Sequence, residues 1–334
     1  MRTTALKVVS FSLAICIVGY AQANKNQQGV IAPQGDTTPV HDPTMIRAGD
    51  TYYVFATNRF NGKLVPIFCS PDLQVWKFCG NVFDAIPEWA QKEIPGTRGI
   101  WAPDISYVDG EYRLYYSIST FGSNRSAIGL ITNKSLDVSS PDYRWVDKGL
   151  VVSSIREDDF NAIDPNYIED REGNSWLAFG SFWAGIKLRR LDKKSGKLSA
   201  TDLQTYSLAS RRPLDPPAIE APAILYHDSH YYLFVSFDFC CRAKDSTYKI
   251  AVGRSSKITS PYVDRDGKPM MQGGGTVLMQ GSETWRGPGG QSVWSDRKKN
   301  VLVFHSYNAV TGKAGLMLST IVWENGWPKL GSLP

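Results

Sequence analysis

Cysteine is scarce in this 334-residue chain, with five in all, and histidine is scarcer at four. No CxxC, HExxH or HxH occurs, and His41, His227, His230 and His305 lie far apart, which argues against a zinc centre. Helical periodicity is almost absent, Pro87 to Ile94 being the one short segment that reads as a helix. No long Lys/Arg run backs the net charge of +5, so nucleic acid is excluded as a partner. Beyond the first 23 residues no apolar stretch approaches membrane length. Aromatics, in contrast, are plentiful at 10 Trp, 16 Tyr and 14 Phe. That exceeds what a core requires, and aromatic faces are also what sugar rings stack on.

Residues 1–23 have the three parts of a secretory signal: Arg2 and Lys7, an apolar run from Val8 to Tyr20, then Ala21-Gln22-Ala23. Cleavage there leaves 311 residues, 24–334, and takes away only two charges, so the net charge falls to +3. A secreted or periplasmic protein with no membrane anchor is expected. Four cysteines remain in a compartment that permits disulfides. Cys69 and Cys79 suit a staple between neighbouring strands, whereas adjacent Cys240 and Cys241 would be strained if bonded to each other.

A pattern of a Pro-containing strand, a tight turn and an aromatic-rich strand recurs five times. The copies are HDPTMIRAGDTYYVFAT (41–57), WAPDISYVDGEYRLYYS (101–117), DPNYIEDREGNSWLAFGS (164–181), EAPAILYHDSHYYLFVS (220–236) and GPGGQSVWSDRKKNVLVFHS (287–306). Aligned, they place Tyr52, Tyr112, Trp176, Tyr231 and Val301 in register, 55–70 residues apart. Further strands follow most hairpins, as in SAIGLITN (126–133) and YKIAVGRSS (248–256). Five units of about four strands predict an all-β, five-bladed β-propeller folded as a single domain.

In a propeller the first strand of each blade lines a central channel. Asp42-Pro43, Asp164-Pro165 and Glu220-Ala221-Pro222 begin three such strands, with Trp101-Ala102-Pro103 and Gly287-Pro288 in the other two. Three carboxylates distant in sequence therefore converge on one cavity, where they raise one another's pKa and can divide into acid and base. That division is what glycoside hydrolysis needs. Phe121-Gly122 and Ser181-Phe182-Trp183 hold the same relative place in two blades and suit a sugar cleft. Asn161, three residues before Asp164, offers a donor and an acceptor to hydroxyls. His305 falls among apolar neighbours as a core residue or a channel ligand for water or a cation.

The segments HDPTMI, WAPDI, NAIDPN, FGSFWAGI and EAPAI, in that order, resemble glycoside hydrolase family 43, and within it the endo-acting α-1,5-L-arabinanases. The likeness runs from about Val40 to Trp323. It implies hydrolysis of arabinan with inversion, Asp42 being the general base, Glu220 the general acid and Asp164 the third carboxylate that tunes the acid and orients substrate. It further implies substrate contacts from Phe121, Gly122, Asn161, Ala162, Ile163, Asp164, Ser181, Phe182 and Trp183, to which Trp101 is added as a stacking face. His305 matches a channel histidine that in such enzymes associates with hydrated calcium. One departure is Gly290, where many relatives carry a histidine. A monomer acting on arabinan or arabino-oligosaccharides is expected. The rival readings are an exo-acting α-L-arabinofuranosidase or β-xylosidase of the same family, and a non-catalytic sugar-binding propeller, which would lack one of the acids.

Overall fold

The computed structural model describes residues 29–57, 59–60, 62–259, 261–296 and 299–333; the expected signal segment lies outside them. Five sheets follow one another along the chain, antiparallel except for the short strand Gln34–Gly35, which runs parallel to Val75–Phe83 at the edge of the first. Their first and second strands are His41–Ala48 with Thr51–Thr57 in blade 1, and Trp101–Val108 with Glu111–Ile118 in blade 2. Blade 3 has Asn166–Glu169 with Ser175–Phe179, blade 4 Ile219–His227 with His230–Phe237, and blade 5 Trp285–Ser295 with Asn300–Asn308. Tyr52, Tyr112, Trp176, Tyr231 and Val301 all fall on second strands, one pair in from the hairpin turn, but Trp176 and Val301 face the following blade where the three tyrosines face the preceding one. The expected helix is present as Glu88–Glu93. No helix among the described residues is long and apolar enough to cross a membrane.

Side chains alternate across a strand, so each blade has two apolar faces, and each face packs on a different neighbour. In blade 1, Phe55 joins Leu114 and Tyr116 of blade 2, whereas Val54 joins Val301 and Val303 of blade 5. In blade 5, Leu302 and Phe304 turn instead to Tyr232 and Phe234 of blade 4. Blades 2 and 3 share Tyr115, Leu130, Leu177 and Phe179, and blades 3 and 4 share Ala178, Leu188, Ile224 and Leu233. Five apolar clusters thus sit at five interfaces, which closes the ring. A latch completes it: Val30–Ile31 pairs with Ala314–Glu324 of blade 5, which also carries the last strand, Trp327–Gly331. Most of the aromatic excess is accounted for by these faces.

Cys69 and Cys79 form a disulfide between the third and fourth strands of blade 1, as expected. Cys240 and Cys241, expected to avoid each other, are also joined. Left-handed backbone at Asp238, Cys241 and Ala243 turns their loop sharply enough to accommodate the pair.

Candidate active site

The second strands determine how the channel mouth is built. After the core pair, the next residue on the same face points at the neighbouring blade's first strand. Thr57 Oγ1 accepts the Ala102 N–H at 2.6 Å, Ser117 Oγ accepts the Asp164 N–H at 3.0 Å, and Ser236 Oγ accepts the Gly290 N–H at 2.9 Å. His305, following Val301 and Val303 on the face toward blade 1, closes the circle by accepting the Asp42 N–H on Nδ1 at 3.1 Å. Blade 3 carries Gly180 at this place, with no side chain to offer. There the Asp164 carboxylate takes over, accepting the Ala221 N–H on Oδ2 at 3.0 Å.

The residues whose N–H groups are held this way all have left-handed backbone: Asp42 (φ 44°), Ala102 (40°), Asp164 (57°), Ala221 (52°) and Gly290 (57°). A register shift follows in four of the five first strands, so each is a bulge that re-aims its side chains. Two alignments from the sequence need correction. Glu220 is not at the place of Asp42 and Asp164 but one residue earlier, where blades 1 and 2 have His41 and Trp101; its partner Ser236 corresponds to Thr57 and Ser117. In blade 5 the equivalent of Asp42 is Gly290, not Gly287, since Gly289 pairs with His305 as His41 pairs with Thr57. No side chain fits at Gly290: a Cβ there would lie 2.3 Å from Asp42 Oδ1 and 2.8 Å from the His305 ring.

Asp42, Asp164 and Glu220 do meet in one cleft of about 640 Å³, together with Trp101, Phe121, Gly122, Asn161, Ile163, Ser181, Phe182 and Trp183. Phe121 is 84% exposed at the cleft, its ring open to contact. Phe182 and Trp183 are consecutive aromatics in left-handed backbone (φ 55° and 42°), strain of the kind concentrated at functional sites. Asn161 is buried, and its Oδ1 finds no partner among the described residues. Ala162 departs from expectation. It is fully buried between blades 2 and 3, its N–H donating to Ser154 Oγ at 2.9 Å, and it does not line the cleft. Alternation along this segment turns Ala162 inward while its neighbours face the cleft.

Each carboxyl has a distinct setting. Glu220 accepts from Ser181 Oγ at 2.5 Å and from the Tyr248 hydroxyl. Burial pushes its pKa up to about 7 against the Ser181 hydrogen bond, with Asp42 adding to the rise. Burial also raises Asp42, while His41 and the Thr57 hydroxyl, donating to Oδ2 at 2.8 Å, pull it back down. Burial first, then Glu220 and Asp42, hold Asp164 well above the ordinary carboxylate range, against the Ala221 N–H. Beneath the cleft the channel narrows to a cavity of about 30 Å³ lined by Asp104, Asn166, Gln291 and Ser292 as well as Asp42 and Asp164. His305 is fully buried, and its pKa is driven well below the usual imidazole range by burial and by His41. With Nδ1 accepting, the ring hydrogen lies on Nε2, which has no partner among the described residues.

Sequence reasoning missed Thr57, Tyr248 and the wall formed by Phe239, Cys240, Cys241 and Arg242. Thr57 was findable as the last residue of a repeat unit, where Ser117 and Ser236 also carry hydroxyls. Tyr248 carries no local signal; only the meander of blade 4 brings it to Glu220.

A model for glycosyl hydrolases family 43 matches residues 37–328. The extracellular endo-α-(1→5)-L-arabinanase 1 of Bacillus subtilis is 44% identical over 291 residues, spanning 86% of this chain and 87% of that protein. The extracellular exo-α-(1→5)-L-arabinofuranosidase ArbA of Cellvibrio japonicus is 42% identical over 302 residues, spanning 87% and 86%. Among solved structures, the family 43 endo-arabinanase from Bacillus licheniformis matches with a TM-score of 0.82 at 46% identity, over 89% of this chain and 99% of that one.

Proposed function

Because this chain belongs to glycosyl hydrolase family 43, we propose that it is a secreted enzyme cleaving internal α-1,5-L-arabinofuranosidic bonds of arabinan with inversion. The observation that carries the chemistry is the division among the carboxyls. Glu220, its pKa near 7, is protonated in about half the molecules at neutral pH and in most below it, and serves as general acid. Asp42, beside His41 and the Thr57 hydroxyl, is the general base. Asp164 touches the backbone next to the acid and holds Glu220's strand in place.

In the reaction, Glu220 gives its proton to the bridging oxygen as the bond to the anomeric carbon breaks. A water on the opposite face attacks that carbon and gives its proton to Asp42. Both carboxyls then return to their starting states by exchange with solvent. Trp101, Phe121 and Trp183 offer stacking faces for the furanose rings.

Internal cleavage is favoured by the cleft's continuation. Phe182 and Trp183 also line a second groove of about 590 Å³ beside Arg212–Pro217, so the trough does not end at the catalytic residues. Linear arabinan is expected to yield a ladder of oligosaccharides by chromatography, with the β-anomer appearing first by proton NMR. Arabinose alone would make the enzyme exo-acting, and a first-formed α-anomer would exclude inversion.

Calcium is the proposed ion. Ligand atoms of His41, Asp42 and His305 lie within 4.8 Å of one another, and the buried Nε2–H of His305, without a partner among the described residues, would donate to a water of the ion's shell. Calcium prefers six to eight oxygens, so water would supply most of the shell, Asp42 being the one carboxylate among these three residues. A bound cation would supply positive charge that favours the ionised form of Asp42. Dialysis against calcium followed by elemental analysis is expected to find one calcium per chain, and none in His305→Ala.

A further inference from the structure

The loop between the second and third strands of blade 4 forms part of the cleft wall, yet two-carboxylate chemistry makes no use of its adjacent cysteines. Phe239, Cys240, Cys241 and Arg242 line the same cleft as Trp101, Phe121 and Trp183. Cys240 is half-buried and Cys241 exposed, so the pair is open to whatever enters. A disulfide between neighbouring residues closes a small ring that includes the peptide between them, leaving the backbone there few shapes. Asp238, Cys241 and Ala243 have φ of 68°, 65° and 50°, a conformation that crowds any β-carbon against the backbone.

The surroundings hold that shape. The Cys241 N–H donates to Tyr307 Oη at 2.8 Å, and the Arg242 N–H to Ser246 Oγ at 3.0 Å. The Arg242 guanidinium lies 4.0 Å from the centre of the Phe239 ring, and Phe239 sits 6.1 Å from Phe182. The Phe239 carbonyl accepts from the N–H groups of Thr247 and Tyr248 at 2.9 and 3.1 Å. Tyr248 in turn donates to Glu220. The disulfide therefore tops a loop whose base reaches the acid. Its sulfurs are apolar and polarizable, and a furanose ring has a C–H surface of matching character.

We propose that the Cys240–Cys241 disulfide is a sugar-binding element, a rigid sulfur face on which an arabinofuranose ring packs in the cleft. The proposal rests on the arabinan reading for its substrate. Opening the bond would remove that face and free the loop, weakening the hold on substrate more than the chemical step.

Two measurements test it, both using arabinohexaose. In the full-length enzyme, Cys240→Ser/Cys241→Ser is expected to raise KM roughly tenfold with kcat within about threefold. Tris(2-carboxyethyl)phosphine acting on the unaltered enzyme should reproduce the change. That reagent and one water convert the S–S bond to two thiols, the phosphine becoming its oxide, and thiol titration follows the reaction. Since it also reaches Cys69–Cys79, the variant Cys69→Ser/Cys79→Ser serves as control and should keep the original KM until reductant is added. The second measurement is calorimetric binding of arabinohexaose in a Glu220→Gln background, which needs no turnover. There the double serine change should weaken Kd by the same roughly tenfold. An altered melting temperature with KM and Kd unchanged would mean the bond only supports the loop, overturning the proposal. Free thiols at both residues in protein isolated without reductant would overturn it too. Tight binding that depends on the disulfide, with no hydrolysis by the unaltered enzyme, would instead sink the arabinan-hydrolase reading and leave the binding element standing.

Discussion

Glu220→Gln is expected to lower kcat on linear arabinan by about 10³-fold, with the propeller intact by circular dichroism. The size follows from the leaving group. An arabinose 5-oxygen is a poor anion, so the bond breaks only as a proton arrives, and burial raises Glu220 to about 7, where it still carries a proton in much of the population at neutral pH. A substrate with a nitrophenol leaving group needs little protonation, and on it the variant should recover most of the lost rate. The unaltered enzyme should lose kcat as pH rises through about 7, where Glu220 ionises, and the variant should lack that limb. Stability falls over the same range. The folded-state pKa is raised from 4.5 to about 7, so the stability this group contributes is full below about 4.5 and lost as pH rises through 7. Glu220→Gln should therefore melt higher than the unaltered protein at pH 8, with the gap closing by pH 5. Equal rates on arabinan for both proteins would remove Glu220 from the mechanism.

Asp42→Asn should cost a comparable factor, about 10²–10⁴ in kcat, and no leaving group should rescue it. A base acts on the water, not on the departing oxygen, so the contrast between the two variants separates the roles. Asparagine is preferable to alanine here. It tolerates the left-handed backbone at φ 44° and keeps an oxygen for the Thr57 hydroxyl. The N–H of residue 42 still reaches His305, so any loss reflects the missing charge rather than a collapsed bulge. Recovery of Asp42→Asn on the nitrophenyl substrate would reverse the assignment of acid and base.

The architecture was legible because the repeat is written in residues that serve two masters, Tyr and Trp on second strands for packing and Asp-Pro or Ala-Pro steps for the bulge. Those positions recur at matching places in the ladders, and the five blades follow from them. The carboxyl convergence was legible for the same reason. Register within the bulge was not. A left-handed residue shifts the strand by one place without leaving a mark on composition, so Glu220 was aligned one residue late; in blade 5 the proline follows Gly287, three residues before the Gly290 that takes the place of Asp42, and the Gly-Pro step misled. Ala162 was placed by its neighbours' company rather than by alternation, which buries it. Tyr248 and the joined cysteines reach the cleft through a loop whose path depends on contacts with Tyr307 and Ser246, and no local spacing encodes those.

The hydrogen bond from the Asp42 N–H to His305 spans 263 residues of sequence, joining the first blade to the last. During synthesis from the amino end, Asp42 emerges early and its clasp emerges almost at the end, so four finished blades still lack a completed base. Hydrolysis is thus a readout of total assembly. A chain cut before blade 5 would keep all three carboxyls yet lack the clasp on Asp42, so its activity is expected to fall, and activity measured during refolding should time the meeting of the two ends.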